Sequence, residues 1–140
     1  MKKDKRIRII TGHYGSGKTE FAVNYTFKLA EQGCKTAIVD LDIVNPYFRS
    51  RQIEPEFEKK GIRVIASSVR GLAGDVPALS PEIYTVLEDK IYQTVIDVGG
   101  DKVGARALGR YHDKIEQDDY DMFFVLNANR PLTGDKENAI

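Results

Sequence analysis

The chain has 140 residues, of which 41% are hydrophobic and 30% are charged, which is typical of one globular domain and argues against a disordered or fibrous chain. Lys plus Arg and Asp plus Glu both number 21, so no global field would recruit nucleic acid or an anionic membrane. The single cysteine, Cys34, excludes an intrachain disulfide and a Cys-x-x-Cys metal site. The basic first residues precede only a short apolar run, so we expect no signal peptide, no transmembrane segment and a cytoplasmic location.

Strands and helices alternate along the chain. The unbroken apolar pairs Ile38-Val39 and Val95-Ile96 are typical of strands buried on both faces, and Ser80 before Pro81 predicts a helix start with Ser80 as N-cap. In chain order the predicted elements are a strand at 6–11, a helix at 18–32, strand 36–40, a short helix near 55–60, strand 63–67, a helix from Pro81, strand 94–97, a helix across 105–115 and strand 122–126. This order predicts a single α/β domain, a three-layer sandwich with a mostly parallel sheet of about five strands.

The end of the sequence departs from this alternation. The fifth strand runs into a polar segment, residues 127–140, with no predicted helix to cover the sheet behind it. We therefore expect the domain at 1–140 to lack the C-terminal part of its fold. Apolar surface should be exposed near the fifth strand, where another segment or another subunit would cover it.

A phosphate-binding pattern lies between the first strand and the first helix. The loop reads G-H-Y-G-S-G-K-T, a full match to G-x-x-x-x-G-K-[ST] that predicts a P-loop NTPase fold. Its backbone N–H groups can turn inward around phosphates, and the following helix presents its positive end to the same anion. Lys18 would supply a charge for the β- and γ-phosphates, and Thr19 a hydroxyl for Mg²⁺. The predicted nucleotide contacts are Gly12, His13, Tyr14, Gly15, Ser16, Gly17, Lys18 and Thr19.

Carboxylates end two of the predicted strands. Asp97 begins the segment D-V-G-G, in which the Gly100 N–H can reach a γ-phosphate; a strand-ending aspartate with turn glycines is the alternative. Asp40 and Asp42 follow the second strand. One of these two could orient the attacking water while the other supports the water shell of Mg²⁺, and capping or turn carboxylates are the alternative.

Three of these motifs together resemble the MinD/ParA family of P-loop ATPases, which also contains cobyrinate-type amidases and the nitrogenase iron protein. They are G-H-Y-G-S-G-K-T, D-L-D and D-V-G-G, and the wider segments D-L-D-I-V-N-P-Y-F-R and D-V-G-G-D-K-V-G-A are similar to those of a bacterial branch of that group. The resemblance spans about residues 6–131. It implies ATP and Mg²⁺ as cofactors, Lys18 and Thr19 as ligands of phosphate and metal, and Asp40 and Asp97 as support for the metal. Asp42 would position the hydrolytic water.

His13 departs from that family. The family carries a second lysine at this position, which reaches across a nucleotide-sandwiched dimer to the partner's ATP. A histidine side chain is shorter and loses its charge near neutral pH, so we interpret His13 as a loop spacer or substrate contact, with partial replacement of the lysine as the alternative. Arg49, Arg51 or Arg70 could supply a transition-state cation instead, although loop arginines are usually solvated.

These observations leave three functions open. The favoured one is an Mg-dependent ATPase that acts as a nucleotide switch, whose loops at 42–51 and 99–104 pass the state of the γ-phosphate to a protein partner or a second copy. The second is a P-loop small-molecule kinase or ATP-dependent ligase, with an acceptor pocket built by the loop at 67–79. The third is a non-catalytic nucleotide-binding fragment, which would expose apolar surface.

Overall fold

The computed structural model describes residues 5–13, 16–41, 54–66, 81–100, 102–117 and 120–126. In chain order its elements are β1 (Ile7–Gly12), α1 (Lys18–Glu31), β2 (Thr36–Asp40), α2 (Glu54–Lys59), β3 (Arg63–Ala66), α3 (Glu82–Glu88), β4 (Gln93–Gly99), α4 (Lys102–Gly109), α5 (His112–Gln117) and β5 (Tyr120–Val125). Neighbouring strands pair in parallel in the order β3-β2-β4-β1-β5. The predicted α/β sandwich with a parallel sheet of about five strands is confirmed.

Helices cover both faces of the sheet, because side chains alternate between the faces along each strand. On one face, Ile9 and Ile96 belong to a core cluster with side chains of α3, α4 and α5, including Ile83. On the other face, Ile10 and Val95 pack with side chains of α1 and α2. The central strand β4 is buried from residue 94 to residue 98, as its apolar run predicts.

Arg6 anchors α3 to the start of the sheet. Its guanidinium donates hydrogen bonds to the carbonyl oxygens of Val86 at 3.1 Å, Leu87 at 2.6 Å and Asp89 at 3.1 Å, and to that of Tyr92 at 3.0 Å. Helix ends leave carbonyl groups without intrahelical partners, and a planar guanidinium with five donors can satisfy several of them at once. No sequence pattern indicates this role of Arg6.

One predicted helix is divided in two. The prediction of a single helix across 105–115 is wrong, because α4 ends at Gly109 and α5 begins at His112. Glycine is a poor helix former, and after it the Tyr111 N–H donates to the Leu108 carbonyl oxygen at 3.0 Å in a tighter turn. This turn buries the Tyr111 ring, 5.0 Å from that of Tyr84. Pro81 precedes α3 with helical φ and ψ of −63° and −16°, and Ser80 lies outside the described residues.

Tyr111 should make stability depend on pH in the alkaline range. Burial, and to a smaller extent Tyr84, raises the pKa of its hydroxyl from 10.0 to about 12. The unfolded chain therefore loses this proton near pH 10, while the folded chain keeps it up to about pH 12. The contribution of the protonated hydroxyl to the unfolding free energy is complete below pH 10 and is lost as the pH rises to 12. Between pH 9 and pH 11.5 the unfolding free energy of the wild type should fall by up to about 2 kcal/mol more than that of Tyr111→Phe, which has no hydroxyl to titrate. Urea unfolding at the two pH values measures this difference. Tyr120→Phe, at a partly exposed tyrosine of β5, is the control, and equal losses in wild type and Tyr111→Phe would contradict the assignment.

The fifth strand exposes apolar side chains on one face. Met122, Phe124 and Leu126 are 52%, 50% and 50% exposed. They alternate with Phe123 and Val125, which pack on the α1 side of the sheet. Residues 127–140 lie outside the described part. Across the described residues, none of the helices has the length and apolar character needed to span a bilayer.

Candidate phosphate-binding site

The predicted phosphate loop joins the end of β1 to the start of α1. Within it, the Ser16 N–H donates to the His13 carbonyl oxygen at 3.0 Å. Gly17 adopts φ 91° and ψ 10° and no side chain caps the helix there, a left-handed conformation that glycine tolerates with little strain. The Phe21 N–H closes the first turn on the Gly17 carbonyl oxygen at 3.0 Å. The loop therefore leads into the positive end of a 14-residue helix, which favours an anion.

Asp97 binds both residues that the motif assigns to phosphate and metal. Lys18 Nζ lies 2.6 Å from Asp97 Oδ1, and the Thr19 hydroxyl donates to Asp97 Oδ2 at 3.0 Å. Lys18 is 5% exposed and Asp97 is 1% exposed, so the ion pair is buried. Asp97 reaches this place because β4 pairs with β1 in a register that sets it opposite Ile10, near the carboxyl end of both strands.

Asp40 adds a second buried carboxylate beside Asp97. The register of β2 on β4 sets the two residues directly opposite each other, and each is 1% exposed. Two buried carboxylates side by side repel each other unless cations compensate them, and the Lys18 ammonium supplies one positive charge. Among the described residues there is no cluster of three or more His, Cys, Asp or Glu side chains suited to a metal. Two carboxylates and the Thr19 hydroxyl are nevertheless oxygen donors of the kind that Mg²⁺ accepts together with water.

The segment after Asp97 contacts the phosphate loop directly. The Gly100 N–H donates to the Gly12 carbonyl oxygen at 3.1 Å. On its other side this segment packs against α4, because a Cβ at Gly104 would lie 2.0 Å from the Gly99 carbonyl oxygen. Only glycine allows so close an approach of helix to strand end. The segment that follows Asp97 therefore contacts both the phosphate loop and α4.

Two further loop residues are described. His13 is exposed, and its ring makes an edge contact with Phe124 of β5, with ring centroids 5.8 Å apart and an interplanar angle of 86°. Ser16 is 5% exposed, and its hydroxyl finds no hydrogen-bond partner within the described part of the chain. A buried hydroxyl without a partner carries a desolvation cost, which is consistent with a loop adapted to a polar ligand.

Most of the predicted site residues meet at the carboxyl ends of β1, β2 and β4. The residues placed there are Gly12, Ser16, Gly17, Lys18, Thr19, Asp40, Asp97 and Gly100. Tyr14, Gly15 and Asp42 lie outside the described residues, as do the loop arginines Arg49, Arg51 and Arg70. Phe124 was not predicted as a site residue, and its contact with His13 follows from the pairing of β5 with β1. Its only sequence signal is the period-two apolar pattern of β5.

A scan against protein-family models and a search of the curated proteins found no match to this chain. The geometry of the site is thus the basis for assigning a function.

Proposed function

We propose that the chain is a cytoplasmic MgATP-binding ATPase that acts as a nucleotide switch of the MinD/ParA type. The observation that carries this proposal is the buried pair of Lys18 and Asp97 at the start of α1, with the Thr19 hydroxyl bonded to the same carboxylate. An ammonium, a hydroxyl and a carboxylate beside a glycine-capped helix end are the groups that a magnesium-bound polyphosphate requires. A structural ion pair alone would not require the threonine, the left-handed glycine and the helix end at the same place.

Each side chain then has a defined task. The Lys18 ammonium would exchange its bond with Asp97 for phosphate oxygens, and the Thr19 hydroxyl would bind the metal. Asp97, released from Lys18, would support the metal's water shell together with Asp40. Bound Mg²⁺ would supply neutralisation of the β- and γ-phosphate charge. Asp42 keeps its predicted role of positioning the hydrolytic water.

The switch element is the segment from Gly99 to Gly104. Its Gly100 N–H donates to the Gly12 carbonyl oxygen, 3.1 Å away, and a γ-phosphate would compete for the same donor. Exchange of that hydrogen bond would move Gly100, and the close packing of Gly104 on Gly99 would carry the movement to α4. A protein partner or a second copy of the chain would read the change. ATP, rather than GTP, follows from the family resemblance.

The first test is calorimetric titration of the 140-residue chain with MgATP, MgGTP, Mg-free ATP and MgAMP. We expect MgATP to bind at least about tenfold more tightly than Mg-free ATP, because metal and phosphates share the site. MgAMP, which lacks the β- and γ-phosphates, should bind weakly and serves as the control. Slow release of phosphate from MgATP would support the ATPase. Absence of binding by either triphosphate would contradict the proposal and favour the non-catalytic fragment.

A further inference from the structure

Ser16 is a buried residue of the phosphate loop, and the proposed function gives its side chain no task. The residue is 5% exposed, and its hydroxyl makes no hydrogen bond within the described part of the chain. Its backbone is held in a turn, since the Ser16 N–H donates to the His13 carbonyl oxygen at 3.0 Å. A buried hydroxyl without a partner costs free energy, so such groups are rare in folded proteins and mark sites of strain or function.

The hydroxyl faces the end of β5. A Cβ at Gly12 would lie 2.7 Å from Ser16 Oγ and 2.7 Å from the Val125 carbonyl oxygen, so the two oxygen atoms are no more than twice that distance apart. Because residue 12 is glycine, no side chain separates them. A carbonyl oxygen has two lone pairs, and that of Val125 can therefore accept from Ser16 in addition to a hydrogen bond of the sheet.

Ser16 and Lys18 face different neighbours of β1. The sheet order places β4 on one side of β1 and β5 on the other. Lys18 Nζ contacts Asp97 of β4 at 2.6 Å, whereas Ser16 Oγ lies near Val125, which pairs with Gly12 from β5. The hydroxyl therefore lies on the side of the loop away from the group that would hold the phosphates. This placement favours the Val125 carbonyl over a phosphate oxygen as its acceptor.

We propose that Ser16 is a positioning residue, whose hydroxyl donates to the Val125 carbonyl oxygen when the phosphate loop binds MgATP. This inference rests on the proposed function, because the hydrogen bond forms in the nucleotide-bound protein. The loop turns its backbone N–H groups toward the phosphates, and this rearrangement would bring the hydroxyl onto the carbonyl. A hydrogen bond present only in the bound form favours binding by its net free energy, and it removes the desolvation cost that the ligand-free loop carries. Ser16 would thus hold the closed loop against β5.

Ser16→Ala should have opposite effects on stability and on binding. In the ligand-free protein it removes a buried hydroxyl that has no partner, so we expect the urea midpoint to rise by about 0.3 M. Binding of MgATP, measured by calorimetric titration, should weaken about fivefold, which is the effect of losing one neutral hydrogen bond. Ser16→Thr, which keeps a hydroxyl, should bind MgATP more tightly than Ser16→Ala.

Thr94→Val is the matched control. The Thr94 hydroxyl is also buried and also finds no hydrogen-bond partner among the described residues, and valine keeps the shape of the side chain. Thr94 pairs with Ile7 at the amino end of β1, whereas the phosphate loop follows the carboxyl end of that strand. We therefore expect Thr94→Val to raise the urea midpoint as Ser16→Ala does, while it changes the affinity for MgATP less than about twofold.

Carbonyl NMR identifies the acceptor directly. Labelling with ¹³C-carbonyl valine and ¹⁵N-leucine selects the peptide groups Val86–Leu87 and Val125–Leu126, the two places where leucine follows valine. A carbonyl that accepts a new hydrogen bond shifts its carbon resonance downfield. MgATP should therefore shift the Val125 resonance in the wild type, and this shift should be largely lost in Ser16→Ala. The Val86 carbonyl, in α3, provides the internal reference.

Each other result contradicts a defined part of the proposal. Weaker MgATP binding by Ser16→Ala, without a shift of the Val125 resonance in the wild type, would reject Val125 as the acceptor and assign the hydroxyl to the nucleotide. A lower urea midpoint of ligand-free Ser16→Ala would show that the hydroxyl already has a partner and would reject the positioning role. Equal affinity of Ser16→Ala and a wild type that binds MgATP would reject the inference alone. A wild type that does not bind MgATP would contradict the proposed function, and the nucleotide-dependent hydrogen bond with it.

Discussion

Replacing Lys18 with alanine should remove most of the affinity for MgATP and also destabilise the ligand-free protein. The ammonium is 5% exposed and lies 2.6 Å from Asp97 Oδ1. Loss of a charge-assisted hydrogen bond to phosphate in such a buried place should lower the affinity by about 100-fold or more, which corresponds to about 3 kcal/mol. Removal of the ammonium also leaves the buried Asp97 carboxylate without its pairing to Lys18. This loss should lower the unfolding free energy by about 3 kcal/mol. Calorimetric titration and urea unfolding measure the two effects separately.

Two variants separate loss of binding from loss of folding. Lys18→Gln keeps an amide that can donate to Asp97 but removes the charge, so it should retain more stability than Lys18→Ala and still bind MgATP poorly. Lys28→Ala removes an exposed lysine from the last turn of the same helix and should change neither quantity appreciably. Near-wild-type MgATP binding by folded Lys18→Ala or Lys18→Gln would remove the basis of the proposed function.

The fold follows from local patterns to a large extent. The predicted second strand coincides with β2 (Thr36–Asp40), because its apolar run is bounded by polar residues on both sides. Apart from the helix predicted across 105–115, the other predicted strands and helices differ from the observed ones by one or two residues at their ends, where hydrogen bonding frays and sequence patterns weaken. The division between α4 and α5 was missed because helical spacing continues through Gly109. The turn depends on the hydrogen bond from the Tyr111 N–H to the Leu108 carbonyl and on the packing of Tyr111 against Tyr84, which is distant in the chain.

The site was predicted in its residue types but not in its geometry. The loop motif and the strand-ending Asp97 are visible in the sequence, and so are the roles that they imply. Their contact depends on β4 lying between β1 and β2, an order that local periodicity does not encode. The hydrogen bond from Gly100 to Gly12 depends on the same strand order.

Replacing Asp97 with asparagine should weaken the ligand-free protein but strengthen its binding of metal-free polyphosphate. The variant keeps the side-chain shape and one acceptor oxygen, while the buried Lys18 ammonium loses the carboxylate 2.6 Å away, at a cost of about 3 kcal/mol in unfolding free energy. An anion can then replace the carboxylate as the partner of Lys18. In the wild type the same anion must displace Lys18 from Asp97 and then lie close to the negative Asp97 carboxylate. The repulsion between two such charges about 4 Å apart is several kcal/mol at an effective dielectric constant of about 20.

Mg-free ATP and inorganic pyrophosphate should therefore bind to Asp97→Asn about tenfold more tightly than they bind to the wild type. They should also raise the urea midpoint of the variant more strongly, since a ligand that binds only the folded state stabilises it. Magnesium should add little, because the carboxylate that supports its water shell is gone, and the advantage of MgATP over Mg-free ATP should fall below about threefold.

Asp113→Asn, at an exposed carboxylate of α5, provides the control. If Asp97→Asn instead keeps the full magnesium dependence, the metal lies elsewhere. If it loses stability that neither anion restores, the pair of Lys18 and Asp97 is a structural ion pair rather than the ligand-free form of a phosphate site.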